Sequence, residues 1–460
     1  MSHPIPKRAL GVLAALVIGS SAHAQVVLTV SDDFTQAAAQ NNWATFDGAC
    51  LTAGSGGGTV PACIGLPYYQ GQTLVGGTSG TLPDQGGAGA LRLTNGFTAG
   101  HGSGFGFGYN QAGGIISNFT FAAGTGVDIL FKTVTYRGNS GGNGGGAGVD
   151  RGDGADGMSF FLIDATNSNG NPYDMGAFGG SLGYTCSNTN NDGTRRADGT
   201  PRQYDGLLNA YVGLGMDEFG NFLNPRDNTA SGPGLQARRI GLRGNGSISW
   251  KGLRAYHPNL YPISLTLDQQ AKAVNNTCKT GTLWDYSQAN PVNTGTPVND
   301  YADLGATTIL PANQPIANEA ALTRADGTPI AYHLKITQDG LLSFSYSYNN
   351  GAFQQVITNQ SISAKNGNLP NLLRFGFAGS TGGSTNVHEI LCFQANPTQL
   401  ADTSVGVNQK DATQIGSGTQ AFLALYFPNG WWGRLTASNL LYDAASKQIL
   451  VSATDRKSVV

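Results

Sequence analysis

Apolar residues in this chain recur at every second position, in short runs closed by Gly, Asn and Asp. Leu342, Phe344, Tyr346 and Tyr348 alternate with three serines, and the run Tyr332–Thr337 alternates ahead of them. Such alternation places one set of side chains on one face of a strand. Asp339-Gly340 and Asn350-Gly351 are hairpin turn signals at the ends of the second run. Further strand candidates are Ala90–Thr94, Val127–Tyr136, Met158–Ile163, Tyr211–Met216 and Leu372–Phe377. No segment sustains a 3.6-residue apolar period, so the pattern predicts an all-β chain. Composition agrees: 68 of 460 residues are Gly, about twice the usual share, which suits long loops and disfavours long helices.

The charge balance excludes one class of partner. With 26 basic against 28 acidic residues there is no excess to neutralise phosphates, so no nucleic-acid partner is expected. Residues 1–24 read as a signal peptide: Lys7 and Arg8 precede the apolar run Ala9–Gly19, and Ala22-His23-Ala24 offers a cleavage site. No later run is long enough to span a bilayer, so no transmembrane segment is expected in the mature chain. Export places the protein in the periplasm, on the cell surface or pilus, or outside the cell. It also permits disulfides. Cys50 and Cys63 flank a Gly/Thr-rich loop and are expected to pair, as are Cys186 and Cys278. Cys392 sits in a strand-like run and reads as a buried free thiol. No Cys-x-x-Cys pair or His spacing suggests zinc. His101, His257, His333 and His388 share no spacing and read as structural or exposed.

Two stretches look inserted. Residues 137–155 are Gly-rich; Gly141-Gly-Asn-Gly144 resembles a calcium-binding nonapeptide repeat but does not recur, so a loop is expected. Residues 253–326 are too long for a structureless loop and are expected to carry strands or a small subdomain. The main domain therefore covers residues 25–395. Residues 396–460 read as a linker and an incomplete second β-module, with strands at Thr419–Phe427, Arg434–Tyr442 and Ile449–Ala453 around Trp431-Trp432. Asp455–Val460 break that pattern, as a truncated reading frame would.

Three local patterns occur in order: Ala155-Asp156-Gly157-Met158-Ser159-Phe160, then Gly179-Gly180-Ser181-Leu182-Gly183-Tyr184, then Gly215-Met216-Asp217-Glu218-Phe219-Gly220-Asn221-Phe222. Arg239-Ile240-Gly241-Leu242 and Phe375-Gly376-Phe377-Ala378 through Gly382-Gly383 follow. Together they resemble the legume-type (L-type) lectin domain over about residues 26–395. Ser380–Leu391, with the Trp-rich region behind it, is similar to the amino-terminal part of bacterial type IV pilus tip-associated adhesins. The resemblance implies a legume-lectin-like jelly-roll sandwich and a calcium-dependent, non-enzymatic, carbohydrate-binding adhesin. Its partners would be a glycan or glycoconjugate and type IV pilus components.

The resemblance also assigns roles. Asp156 matches the acid that accepts two sugar hydroxyls, and is preceded in the family by an unusual backbone geometry. Gly179 and Gly180 match glycines that let backbone N–H groups reach the ligand. Phe219 matches an aromatic that stacks on sugar and lends calcium its carbonyl. Asn221 matches a residue serving both sugar and calcium. Gly382 and Gly383 open the loop to Asn386 that corresponds to the specificity loop. Asp217, Phe219 and Asn221 would be calcium ligands, with Asp227 as the fourth candidate, one step beyond the family's spacing, and Asn224 behind it. The family's transition-metal ligands fall on Gly215 and Arg239, which cannot serve, so no transition metal is expected.

Two other functions compete. A glycoside hydrolase on the same fold needs two carboxylates about 5 Å apart, yet Asp217 and Glu218 are adjacent and point to opposite faces of a strand. A structural pilus-biogenesis protein with a non-binding lectin fold would explain the departures at the metal sites. Read without its surroundings, Asp156 is a surface loop acid, and Asp217 and Glu218 are solvated strand-end acids.

Overall fold

The computed structural model describes residues 26–27, 29–69, 74–96, 108–124, 126–140, 154–166, 174–188, 205–226 and 229–398, with the backbone of four short strands between 422 and 451. The leader, residues 141–153 of the first insertion, His101, Asp227 and most of the chain beyond 398 lie outside the described residues.

The expected all-β sandwich is present. One sheet runs in the order Thr120–Ala122, Leu372–Ser380, Gly157–Asp164, Ala210–Asp217, Arg239–Arg243, Asp303–Ile309, with Ala112–Ser117 and Trp43–Phe46 attached beside it. The other runs Gln354–Ser361, Leu341–Tyr348, Pro329–Ile336, Val127–Asn139, Thr385–Pro397, Leu91–Thr94, Cys50–Leu51. The sheets meet through aromatic side chains. Phe131 of the second sheet lies 5.1 Å from Phe160 and 5.3 Å from Phe377 of the first, centroid to centroid, and Phe393 lies 5.2 Å from Phe375. These spacings suit edge and offset packing between rings.

The sheets differ in how they meet water, which explains two kinds of strand sequence. Along Pro329–Ile336 buried and half-buried residues alternate, so that face of the second sheet is wet. Along Gly157–Asp164 every residue but the last is buried. Met158, Phe160 and Leu162 enter the core between the sheets, whereas Phe161 and Ile163 enter a second core with Tyr184, Trp250, Tyr261, Val274 and Tyr301. A strand covered on both faces reads as a continuous apolar run.

The second core is built partly by residues 253–326, where helices stand beside the expected strands. That region carries helices Trp250–Tyr256 and Leu267–Thr280 besides the hairpin Thr282–Asp285/Val292–Pro297 and the strand Asp303–Ile309. Thr266 and Gln269 form a reciprocal capping box at the start of the longer helix, and Gly281 ends it in the left-handed region. Disulfides join Cys50 to Cys63 and Cys186 to Cys278, while Cys392 is a free thiol, half-buried rather than buried. Beyond residue 398, Phe422–Tyr426 pairs with Trp432–Thr436 and Leu440–Asp443 with Gln448–Val451. The run Arg434–Tyr442, read above as one strand, is thus divided between two hairpins. Among the described residues no helix is long and apolar enough to cross a membrane.

One buried charge cluster ties loops to the second sheet. Glu389 accepts from Arg92 at 2.7 Å and from Arg324 at 2.7 Å, and Arg324 also pairs with Asp84 at 2.7 Å. Burial alone would raise the Glu389 pKa; Arg324 and Arg92 outweigh it and hold the carboxyl below its ordinary value. A depressed carboxyl stabilises the fold fully above the unfolded value near 4.5, and that contribution is lost as pH falls through the lower folded value. Glu389→Gln, which leaves buried guanidinium groups without their counter-charge, is expected to cost about 3–5 kcal/mol. Urea unfolding at pH 7 checks this, and the gap between wild type and variant should narrow as the pH is taken well below 4.5.

Candidate functional site

Strand register assembles the candidate site. Gly157 pairs with Asp217 on one side and with Ser380 on the other. Asp156, one residue before that strand, therefore sits between the ends of its two neighbours. Its N–H donates to the Ser380 carbonyl at 2.8 Å, and its carbonyl accepts from the N–H groups of Glu218 at 3.0 Å and Phe219 at 3.3 Å. The Ala155–Asp156 peptide bond is cis. The Gly179 turn joins the same point, its N–H donating to the Thr381 carbonyl at 3.3 Å and its carbonyl accepting from Ser380 Oγ at 3.0 Å. Asp156 is only 5% exposed, so it is not the surface loop acid its sequence context suggests. Asp217 and Glu218 are buried as well, not solvated strand-end acids.

Gly382 and Gly383 lie in the turn after Leu372–Ser380, and only the first bears on the acid. A Cβ at Gly382 would stand 2.8 Å from Asp156 Oδ2, whereas one at Gly383 would meet nothing within 4 Å. Asn386, placed by sequence in the specificity loop, is instead a buried strand residue. Its Nδ2 donates to Glu218 Oε2 at 2.7 Å, and His388 Nε2 lies 3.1 Å from the same oxygen. His388 Nδ1 in turn lies 2.7 Å from Thr94 Oγ1. This chain of Thr94, His388, Glu218 and Asn386 pins the end of Thr385–Pro397 beneath the site. Sequence reasoning missed it because its four members are scattered over three segments without a shared spacing.

The loop after Ala210–Asp217 folds around the Asp217 carboxylate. Oδ1 accepts from Gly220 N–H and Oδ2 from Phe222 N–H, both at 2.7 Å. Burial pushes the Asp217 pKa up to about 7, against those two bonds and the Arg239 guanidinium, with Glu218 adding to the rise. Asn221 Oδ1 accepts from Asn224 Nδ2 at 2.8 Å, and Phe219 is half-buried beside them. The donors gathered here are oxygens around one buried carboxylate, which fits a hard cation such as calcium. A bound cation would offset the cost of keeping that acid ionised. No cluster of three His, Cys, Asp or Glu side chains forms among the described residues, and Asp227, the fourth candidate, lies outside them. A transition metal does not fit. The space in front of Gly215 is filled by Phe222, whose Cδ1 would lie 2.2 Å from a Cβ there, and Arg239 pairs across the ladder with Asp217.

No family model matches the chain, and no curated protein matches it significantly. Among solved structures it is similar to lectin I-B4 of Griffonia simplicifolia in its metal-free form, at 13% identity and a TM-score of 0.38, covering 80% of this chain and 99% of that one. A Bauhinia forficata lectin in complex with GalNAc gives 12% identity and a TM-score of 0.37, with 81% and 99% covered. The exoplasmic/lumenal domain of VIP36, bound to calcium and Man3GlcNAc, gives 12%, a TM-score of 0.33, and 68% and 81% covered. At such low scores, the sandwich is defined by the strand pairings themselves.

A cation held by the Asp217 carboxylate would compete with a proton for it. Calcium affinity is therefore expected to fall about tenfold when the pH is lowered from 8 to 6, through the Asp217 value near 7. Calorimetric titration with calcium at the two pH values checks this. Asp217→Asn should abolish the heat.

Proposed function

We propose that this chain is an exported carbohydrate-binding protein, assisted by calcium and associated with type IV pili, and that it is not an enzyme. The observation that carries the binding reading is the convergence of Asp156, the Gly179-Gly180 turn, Phe219 and Gly382 on one sheet end. Each part has a task that sugar chemistry needs. The Asp156 carboxylate accepts hydroxyl protons in charge-assisted bonds. Glycine at 382 leaves room for that carboxylate, which a side chain there would crowd. Phe219 offers an aromatic face for a C–H patch, and Asn221 an amide able to donate and accept. The loop that would hold calcium is tied to Asp156 through the backbone bonds that Glu218 and Phe219 make to its carbonyl. Export rests on the charged and apolar pattern of residues 1–24, and pilus association on the resemblance of Ser380–Leu391 to tip-associated adhesins. Against hydrolysis stands the fate of the two adjacent carboxylates. Asp217 is engaged by its own loop and Glu218 by Asn386 and His388, so they do not face one another.

A glycan array, run with and without a chelator, tests the proposal. Asp156→Asn removes the charge and keeps the shape, and is expected to cost about 1.5–3 kcal/mol, on the order of 10- to 100-fold in affinity. Gly382→Ala should weaken binding by roughly tenfold, because its Cβ would press on Asp156 Oδ2, while Gly383→Ala should leave it unchanged. Equal binding by wild type and both site variants would place the glycan elsewhere. No binding at all would leave the sandwich a structural role in pilus assembly.

A further inference from the structure

A cavity of about 510 Å3 opens at the other end of the strand that carries Asp156. Asp164, the last residue of Gly157–Asp164, contributes to its wall, so the cavity lies about 25 Å from the Asp156 site along the strand. Its volume falls in the range of small-ligand pockets. The walls come from segments far apart in sequence: the start of Ala210–Asp217, the turn at 245–248, the helix Trp250–Tyr256, the segment 297–299 and the turn at 366–370.

The lining has a distinct chemistry. Asn209, Asn245, Asn299 and Asn368 bring side-chain amides, and Ser247 a hydroxyl. Tyr256 is 50% exposed, and its hydroxyl donates to Asn209 Oδ1 at 2.6 Å, which fixes the ring at the rim. Among the described residues the wall contains no Lys, Arg or Glu. Its one carboxylate, Asp164, already accepts from the Thr166 N–H at 2.8 Å, and burial lowers the pKa of the lining His257, favouring its neutral form. Such a wall offers little to an anion or a cation. Amides and hydroxyls that both donate and accept, beside an exposed aromatic ring, complement a neutral polyhydroxylated molecule.

From this geometry we infer a second binding site, at the opposite end of the sheet from Asp156, for an uncharged saccharide unit. It goes beyond the site proposed above and shares no residue with it. Its helical wall belongs to the region that sequence marks as inserted, so the pocket exists only because that region folds back over the sheet. Among the described residues the wall contains no cluster of carboxylates, so binding there is expected to be independent of calcium.

The full chain carrying Asp156→Asn, which weakens the first site, is screened on an array of neutral and of sialylated or sulfated glycans in the presence of a chelator. Neutral glycans should still bind. Tyr256→Ala in that background should reduce the signal by on the order of tenfold, while Tyr256→Phe, which keeps the ring and loses the bond to Asn209, should stay within about threefold. Tyr256 is half exposed, so circular dichroism should show both variants folded. Loss of all glycan binding on Asp156→Asn alone would overturn the second site and leave the first standing. Binding indifferent to Asp156 but lost on Tyr256→Ala would support the second site and overturn the first. Preference for acidic glycans, or neutral binding insensitive to Tyr256→Ala, would overturn the inference.

Discussion

The structure depends on one register. Gly157 faces Asp217 across one ladder and Ser380 across the other, and the same pairing sends Met158, Phe160 and Leu162 into the core between the sheets. Side chains alternate with a period of two, so a slip by one residue would exchange that set with Ser159, Phe161 and Ile163. The inner core would then lose Phe160 from its contacts with Phe131 and Phe377. The same slip would carry Asp156 away from the Ser380 carbonyl and from the N–H groups of Glu218 and Phe219. Packing free energy thus holds the candidate site in place, although Asp156 itself contributes no apolar surface.

Burial of the first sheet on both faces has a second consequence. Antiparallel strands that are apolar on both sides need a further layer, and this chain supplies one from residues 174–188, 222–223 and 248–301. The Cys186–Cys278 disulfide closes 92 residues of sequence and fastens the longer helix to the segment after the Gly179 turn. A loop of that length corresponds to about 4–5 kcal/mol of lost unfolded-state freedom. Tyr184 and Tyr301 reinforce the layer with an edge contact at 5.5 Å, and the Tyr301 hydroxyl donates to the Leu207 carbonyl at 2.8 Å. The turn that approaches Asp156 is therefore backed by a core of its own.

Strands were the legible part of the sequence because their signals are local. Alternation at 332–337 and 342–348, with Asp339-Gly340 between, reads as a hairpin in the half-wet sheet, and that hairpin is present. The helix Leu267–Thr280 was illegible by apolar period because its buried face is made of Gln270, Ala271, Ala273, Val274, Thr277 and Cys278, most of them small or polar. Its Thr266-x-x-Gln269 capping box was the available sign. Asp156, Gly179 and Gly382 could be named in advance because each lies in a short ordered motif. The link between Glu218, Asn386, His388 and Thr94 could not, since it is made by contact across the sandwich. The cavity beside Tyr256 is of the same kind: six segments meet there, and no motif joins them.

Two of the buried carboxylates, Glu389 and Asp217, contrast a structural acid with one suited to a ligand. Glu389 is wholly buried, yet Arg92 and Arg324 depress its pKa below the ordinary value. Its charge is answered within the protein, and adding a cation there would bring repulsion from two guanidinium groups. Asp217 is equally buried, but backbone N–H groups and one Arg239 guanidinium leave its pKa raised to about 7. Backbone dipoles orient that carboxylate without fully offsetting its desolvation. An acid held in place with its ionised form still disfavoured gains most when a cation arrives. The loop that would gain is the one whose N–H groups hold Asp156 at the candidate glycan site.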